Sequence, residues 1–135
     1  MENSSKGTIL VTGGTGYIGS HTTVELIQKG YEVVIIDNLS NSQSFILNRI
    51  FQITQKKPIF YEFDLCNLTR LKEVFANHVI IGVIHFAAAK SVSDSVKNPL
   101  FYYRNNVIPI VNLLEVMIEY KVVNFCFSSS CCVYG

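Results

Sequence analysis

The sequence predicts an α/β fold, a doubly wound parallel sheet of about five strands that is cut short after the fifth. Three observations predict it. Apolar runs of strand length alternate with helical patterns from one end of the chain to the other. The run over residues 79–86 is continuously apolar rather than alternating, as in strands buried on both faces of a parallel sheet. A glycine-rich turn joins the first strand to the first helix.

The elements follow in order. Thr8-Ile9-Leu10-Val11 is the first strand. After the glycine turn, residues 20–29 form a helix with Val24 and Ile27 three apart, and Lys29-Gly30 stops it. Residues 31–37 are the second strand, ending in the carboxylate of Asp37. Residues 38–42 are a polar turn, and Ser44 caps a helix whose Leu47, Ile50, Phe51 and Thr54 share a face. Lys56-Lys57-Pro58 ends that helix. Residues 59–63 alternate like a strand and lead to Asp64. Asn67 caps the next helix, which turns Leu68, Leu71, Val74 and Phe75 inward. The apolar strand at 79–86 follows, then the longest helix at 99–120, with Leu100, Tyr103, Val107, Val111, Leu114 and Ile118 on one stripe. Residues 122–127 are the fifth strand.

Bulk properties narrow the function classes. A chain of 135 residues is about one domain. Its net charge of +1, without a basic run, points to neither nucleic acid nor an anionic membrane as partner. The N-terminus lacks the layout of a signal peptide, and the most apolar run is too short to span a bilayer. Cys66, Cys126, Cys131 and Cys132 have no metal-ligand spacing, so no metal site is expected and they read as reduced thiols of a cytoplasmic protein.

In open parallel sheets, ligands bind at the carboxyl ends of the strands. That rule gathers residues 13–19, 37–42, 64–65, 86–90 and 128–130 around one cleft. Gly13, Gly16 and Gly19 let the backbone bend sharply and let a pyrophosphate approach the main chain, where helix N–H groups and the dipole hold it. This is dinucleotide binding in the Rossmann manner. Asp37, at the tip of the second strand, would accept hydrogen bonds from the adenosine ribose and repel a 2′-phosphate, which favours NAD over NADP.

The motifs carry a closer likeness. Thr12-Gly13-Gly14-Thr15-Gly16-Tyr17-Ile18-Gly19-Ser20-His21 opens the series, followed by Asp37-Asn38-Leu39-Ser40-Asn41-Ser42. Val83-Ile84-His85-Phe86-Ala87 with Lys90 comes next, then Pro99-Leu100-Phe101-Tyr102-Tyr103 with Asn105-Asn106. Phe127-Ser128-Ser129-Ser130 with Val133-Tyr134-Gly135 closes it. Over essentially its whole length, the chain resembles the first part of the UDP-glucose 4-epimerase family, in the extended short-chain dehydrogenase/reductase superfamily.

The resemblance implies that residues 1–135 are an incomplete NAD-binding Rossmann domain, with the nucleotide-sugar-binding domain absent. It implies pyrophosphate contacts from the backbone of Tyr17 and Ile18, and an adenosine ribose held by Asp37 and lined by Asn38, Asn41 and Ser42. Asp64 and Leu65 would frame the adenine. Phe86, Ala87, Ala88 and Lys90 would run along the pyrophosphate and nicotinamide ribose, with Asn105 nearby. Ser130 would be catalytic, beside the nicotinamide and the reacting sugar carbon. The implied reaction is the interconversion of UDP-glucose and UDP-galactose through a 4-keto sugar in galactose metabolism. Tightly held NAD takes hydride from C4 and returns it to the other face. The implied partners are a UDP-hexose and a second copy of the chain, joined through the long helix.

The chain also departs from the family. The Tyr-x-x-x-Lys that supplies the base in this family is not among the 135 residues, so this chain alone is expected to be inactive. Ala88-Ala89 stand where Gly-Leu is preferred, Pro109 stands within the long helix, and Cys131-Cys132 replace Ala-Thr. A 4,6-dehydratase would place an Asp-Glu pair after the fifth-strand motif, where Cys131-Cys132 stand instead. A non-catalytic NAD-binding module is the alternative from another class. His21 and His85 read as packed or hydrogen-bonded rather than catalytic, and His78 as a cation at a helix C-terminus.

Overall fold

Five short runs rich in β-branched or aromatic residues pair in parallel: β1 (Thr8–Thr12), β2 (Glu32–Asp37), β3 (Ile59–Glu62), β4 (Ile80–His85) and β5 (Asn124–Phe127). In the computed structural model, which describes residues 5–134, they form one sheet in the order β3-β2-β1-β4-β5. The chain steps outward from β1 to β3 and then returns to the other side of β1. The strand order therefore reverses between β1 and β4, and a cleft opens at their carboxyl ends.

Alternation along the central strands divides the core in two. Val11, Val33 and Ile35 point to one face and pack with Ile27 of α1 (Tyr17–Gln28) and Ile50 of α2 (Phe45–Thr54). Leu10, Val34 and Ile36 point to the other. There they meet Leu71, Val74 and Phe75 of α3 (Leu68–Asn77) and Leu113, Val116 and Met117 of α5 (Pro99–Glu119). The doubly wound sheet is as the sequence predicts. Burying each of these side chains contributes about 1.5–3 kcal/mol against exposure.

Asn67 caps α3 as expected, its Oδ1 accepting the Arg70 N–H at 3.1 Å. Ser44 does not cap α2: its backbone is already helical and its side chain bonds no helix N–H. Phe51 also leaves the expected inward face. Ile46, Leu47 and Ile50 point to the sheet instead, while Phe51 is exposed with the Lys57 ammonium 5.5 Å above its ring. Helix α2 ends at Gln55, in the left-handed region at φ 57°, before the Lys-Lys-Pro stop.

Four further differences separate the structure from the sequence pattern. Helix α1 starts at Tyr17 rather than Ser20, because Gly16 serves as its N-cap. A short helix, α4 (Val92–Lys97), lies where the sequence showed no periodic stripe, and Ser91 caps it by accepting the Asp94 N–H at 3.3 Å. Strand β4 is not covered throughout, since Ile81 is exposed. On α5, the stripe of Leu100, Tyr103, Val107, Val111, Leu114 and Ile118 faces outward at 40–78% exposure. The core side of α5 is Pro109, Asn112, Leu113, Val116 and Met117. A contiguous apolar face of that kind is characteristic of interfaces.

Pro109 does not break α5, which runs through it unbroken; its ring is buried and it leaves the Asn105 carbonyl without a helical donor. His78 ends α3 with extended backbone, its Nε2 2.8 Å from the Tyr61 hydroxyl. Among the described residues, no helix is long and apolar enough to cross a membrane.

One buried side-chain group is unmatched among the described residues. The Thr23 hydroxyl of α1 is fully enclosed and has no hydrogen-bond partner. Removing an unpaired buried hydroxyl without changing shape removes its desolvation cost. We expect Thr23→Val to stabilise the fold by about 1 kcal/mol, seen as a higher urea midpoint. An unchanged or lower midpoint would show that the hydroxyl is satisfied after all.

Candidate functional site

The strand tips continue their ladders just past the last paired residues. Gly13 N–H donates to the Ile36 carbonyl at 2.9 Å, Phe86 N–H to that of Thr12 at 3.0 Å, and Ser128 N–H to that of His85 at 3.1 Å. These bonds bring residues 13–19, 37–42, 86–90 and 128–130 to one edge of the sheet, as the topology predicts. Phe63 N–H donates to the Asp37 carbonyl at 3.2 Å and adds residues 64–65.

The turn after β1 needs its glycines for different reasons. Gly13 lies at φ +70°, and a Cβ there would come within 2.7 Å of the Ala87 nitrogen. Gly19, in the first turn of α1, faces the Gly13 carbonyl so closely that a Cβ would overlap its oxygen. The helix is thereby drawn tight against the turn. Its N-cap, Gly16, has no side chain to satisfy the leading N–H groups, so the helix opens uncapped at the cleft. Tyr17 and Ile18 present their backbone there, with both side chains exposed.

Asp37 is held by this same turn. Its Oδ2 accepts the Thr15 N–H at 3.2 Å, and its Oδ1 accepts the Leu39 N–H at 3.0 Å and the Ser42 hydroxyl at 3.4 Å. Asn38 reaches across to Asp64, its Nδ2 donating to Oδ2 at 3.2 Å. Burial works to raise the Asp64 pKa. The Cys66 N–H at 2.8 Å, the Cys66 thiol and the Asn38 amide outweigh it and hold the carboxyl below its ordinary value. Burial and the Asp64 carboxylate push the Cys66 thiol up to about 11, so it stays protonated and is a poor nucleophile.

On the β4 side, Phe86 and Ala87 are half-buried against the glycine turn, while Ala88 and Lys90 are exposed. Asn105 and Asn106 project from α5 toward this loop. Asn106 holds the Ala89 backbone at both ends, accepting its N–H at 2.8 Å and donating to its carbonyl at 2.9 Å. Asn105 donates to Asn106 at 3.4 Å and makes no direct bond to the loop. Asn41 is exposed, and Leu65 is buried in the core. Ser130 is exposed after β5, its Oγ accepting the Cys132 N–H at 3.2 Å.

Three residues that the sequence did not single out shape the site. Thr15 bridges the turn to Asp37, and Asn106 clamps the β4 loop. Thr12, fully buried, places its hydroxyl 2.6 Å from His85 Nδ1 and ties β1 to β4 directly below the turn. His85 is thus packed and hydrogen-bonded, as expected of it; burial pushes its pKa down to about 4. His21 is exposed, edge-on to the Tyr17 ring at 5.0 Å. The signal for Thr15 and Asn106 was present only as small polar residues inside motifs, because a backbone clamp leaves no periodic trace.

The donor set suits a dinucleotide. Backbone N–H groups and a helix dipole suit a pyrophosphate, and a fixed carboxylate suits a ribose diol. A side-chain-free turn allows close approach.

Comparison with known proteins agrees. The profile of the NAD dependent epimerase/dehydratase family matches residues 9–135. The UDP-glucose 4-epimerase uge1 of Schizosaccharomyces pombe is 53% identical over 135 residues, covering all of this chain and 38% of that protein. A UDP-glucose 4-epimerase sequence of Klebsiella pneumoniae is 51% identical over 127 residues, covering 94% of this chain and 91% of that sequence. The crystal structure of the Bifidobacterium longum UDP-glucose 4-epimerase with NAD+ and UDP superposes with a TM-score of 0.92 at 45% identity, covering 95% of this chain and 38% of that one. The Stenotrophomonas maltophila enzyme, with NAD and formylated UDP-arabinopyranose, gives 0.91 at 45% identity, covering 96% of this chain and 38% of that one. The chain spans 38% of the length of the first of these relatives. With a profile match across nearly all of its length, and with that family's fold in its sheet, the chain belongs to the NAD dependent epimerase/dehydratase family.

Proposed function

We propose that the cleft at the strand tips binds NAD and that this chain is the cofactor-holding part of an enzyme interconverting UDP-glucose and UDP-galactose. One observation carries the reading. The uncapped start of α1 and the Asp37 carboxylate, the two groups a dinucleotide needs at its pyrophosphate and its ribose, are joined by a single hydrogen bond from Thr15. The NAD in the two solved relatives supports it.

In this reading residues 1–135 are an incomplete NAD-binding domain, and a nucleotide-sugar domain lies outside them. Gly13, Gly16 and Gly19 shape the turn, and the N–H groups of Tyr17 and Ile18 hold the pyrophosphate. Asp37 accepts from the adenosine ribose with Asn38, Asn41 and Ser42 around it, and Asp64 with Leu65 bounds the adenine. Phe86, Ala87, Ala88 and Lys90, with Asn105, follow the cofactor toward the nicotinamide ribose. Ser130 hydrogen-bonds the sugar oxygen at the reacting carbon. Bound NAD supplies a reversible two-electron oxidation of that carbon. None of the tyrosines in the chain has a lysine four residues on, so the base that takes the sugar proton is not assigned to a side chain here.

Calorimetry tests the cofactor half. The chain should bind NAD saturably and more tightly than NADP, and Asp37→Ala should weaken NAD by about tenfold to a hundredfold. A folded chain that takes up neither dinucleotide would refute the reading.

A further inference from the structure

We infer that Thr15 sets the preference of this site for NAD over NADP, by locking Ser42 and Asp37 into one arrangement; the inference rests on the dinucleotide reading above. Thr15 is 2% exposed, and its hydroxyl lies 2.6 Å from Ser42 Oγ, a short hydrogen bond at the heart of the turn. Ser42 in turn donates its hydroxyl proton to Asp37 Oδ1 at 3.4 Å. A hydroxyl has one proton. With that of Ser42 committed to Asp37, the Thr15 hydroxyl is the donor in the short bond.

Thr15 therefore reaches Asp37 twice. Its N–H binds Oδ2 directly at 3.2 Å, and its hydroxyl holds the serine that binds Oδ1. The Leu39 N–H adds a third donor at 3.0 Å, from a residue held at φ 56°. That left-handed backbone costs about 1 kcal/mol or more for a non-glycine residue, so the loop is held in place by its contacts rather than resting there. A carboxylate offers about four lone-pair positions. Three are used by the protein, and the one left over belongs to an acid that cannot turn. A ribose hydroxyl can donate to that position. A 2′-phosphate placed there faces a fixed negative charge with no donor to offer and no freedom for the acid to swing aside.

Ser42 and Asp37 are the groups that meet the ribose; Thr15 touches neither sugar nor phosphate and acts as a positioning residue through them. Losing its hydroxyl should loosen Asp37, which weakens NAD and relieves NADP together. A purely structural role would lower stability and leave the ratio of the two affinities alone.

The test is calorimetric titration of NAD and of NADP into the wild-type chain, Thr15→Val and Thr15→Ser, with urea melts of each. Thr15→Val keeps the shape and removes the donor, and its NAD-to-NADP affinity ratio should fall about tenfold. Thr15→Ser restores the hydroxyl and should return the ratio to within about twofold of wild type. If Thr15→Val does not fold, Thr15→Ala removes the same hydroxyl with less bulk and should give the same fall. A wild-type ratio in a folded Thr15→Val, or in Thr15→Ala when Thr15→Val cannot be measured, overturns the role of Thr15 and leaves the NAD reading standing. A wild-type chain that binds neither dinucleotide overturns both.

Discussion

Gly19→Ala should weaken dinucleotide binding about a hundredfold and destabilise the fold. The added Cβ would overlap the Gly13 carbonyl oxygen and crowd the Gly13 carbon and Gly14 Cα, each at 2.9 Å. All three are backbone atoms in a turn pinned by the Gly13 bond to Ile36 and by Ala87 on its other side. Nothing flexible is available to move, so α1 must back away from the turn as a body. Overpacking of this kind costs about 3 kcal/mol. Displacing the helix start also pulls the Tyr17 and Ile18 N–H groups from a pyrophosphate, and about a hundredfold loss of NAD affinity corresponds to about 2.7 kcal/mol. Gly16→Ala is the matched control. Its Cβ would sit 3.3 Å from the Gly13 oxygen at an ordinary φ of −71°, a contact that a small shift relieves. Denaturant melts of both variants should separate them clearly, and NAD titration of Gly19→Ala reads the affinity loss; equal destabilisation would mean that the tight approach at Gly19 does not govern the turn.

Acid should weaken the fold through His85 before the carboxylates are protonated. His85 is 2% exposed, bonded to the Thr12 hydroxyl and stacked on Phe127 at 18° between the rings. Burial disfavours the imidazolium, so its pKa falls from 6.5 to about 4 in the folded chain. The neutral ring is the form that the fold accepts. Its stabilising contribution is complete above pH 6.5 and drains away as the pH falls toward 4, because the unfolded chain binds a proton that the folded chain refuses. The slope approaches about 1.4 kcal/mol per pH unit, and the loss totals about 3 kcal/mol by pH 4. Urea melts from pH 7.5 to 4.5 should follow that slope in the wild type. In His85→Asn, which has no titrating ring, the difference should vanish. A wild type as flat as the variant would place His85 in contact with water.

This histidine illustrates what was legible in the sequence. A lone His in a continuous apolar run already read as a packed residue, and the structure adds Thr12 as its partner, 73 positions away along the chain. Asn67 was legible as a cap for the same reason that it works, because it reaches only three residues ahead to Arg70. Ser44 has the same cap chemistry and fails, because the chain enters α2 already helical. The α5 stripe was legible as a stripe but not as an outward one. Apolar spacing on a helix identifies a face and cannot say what that face meets. The opposite side, with Asn112 and Pro109 among its residues, looked less apolar and took the core. Asn112 does so by donating its amide to the buried Leu65 carbonyl at 2.8 Å.

The sequence by itself determined the order of the five strands and the four longer helices, the glycine turn, the acid at the end of the second strand and the family to which these belong. Those features are local, written in runs of neighbouring residues whose backbone preferences and periodicity need no partner. Tertiary structure alone decided which face of α5 is buried, which donors hold Asp37 and which side chain clamps the β4 loop. Each of these depends on hydrogen bonds and packing between segments far apart in the chain, and such contacts exist only once the parallel sheet has brought the strand tips together.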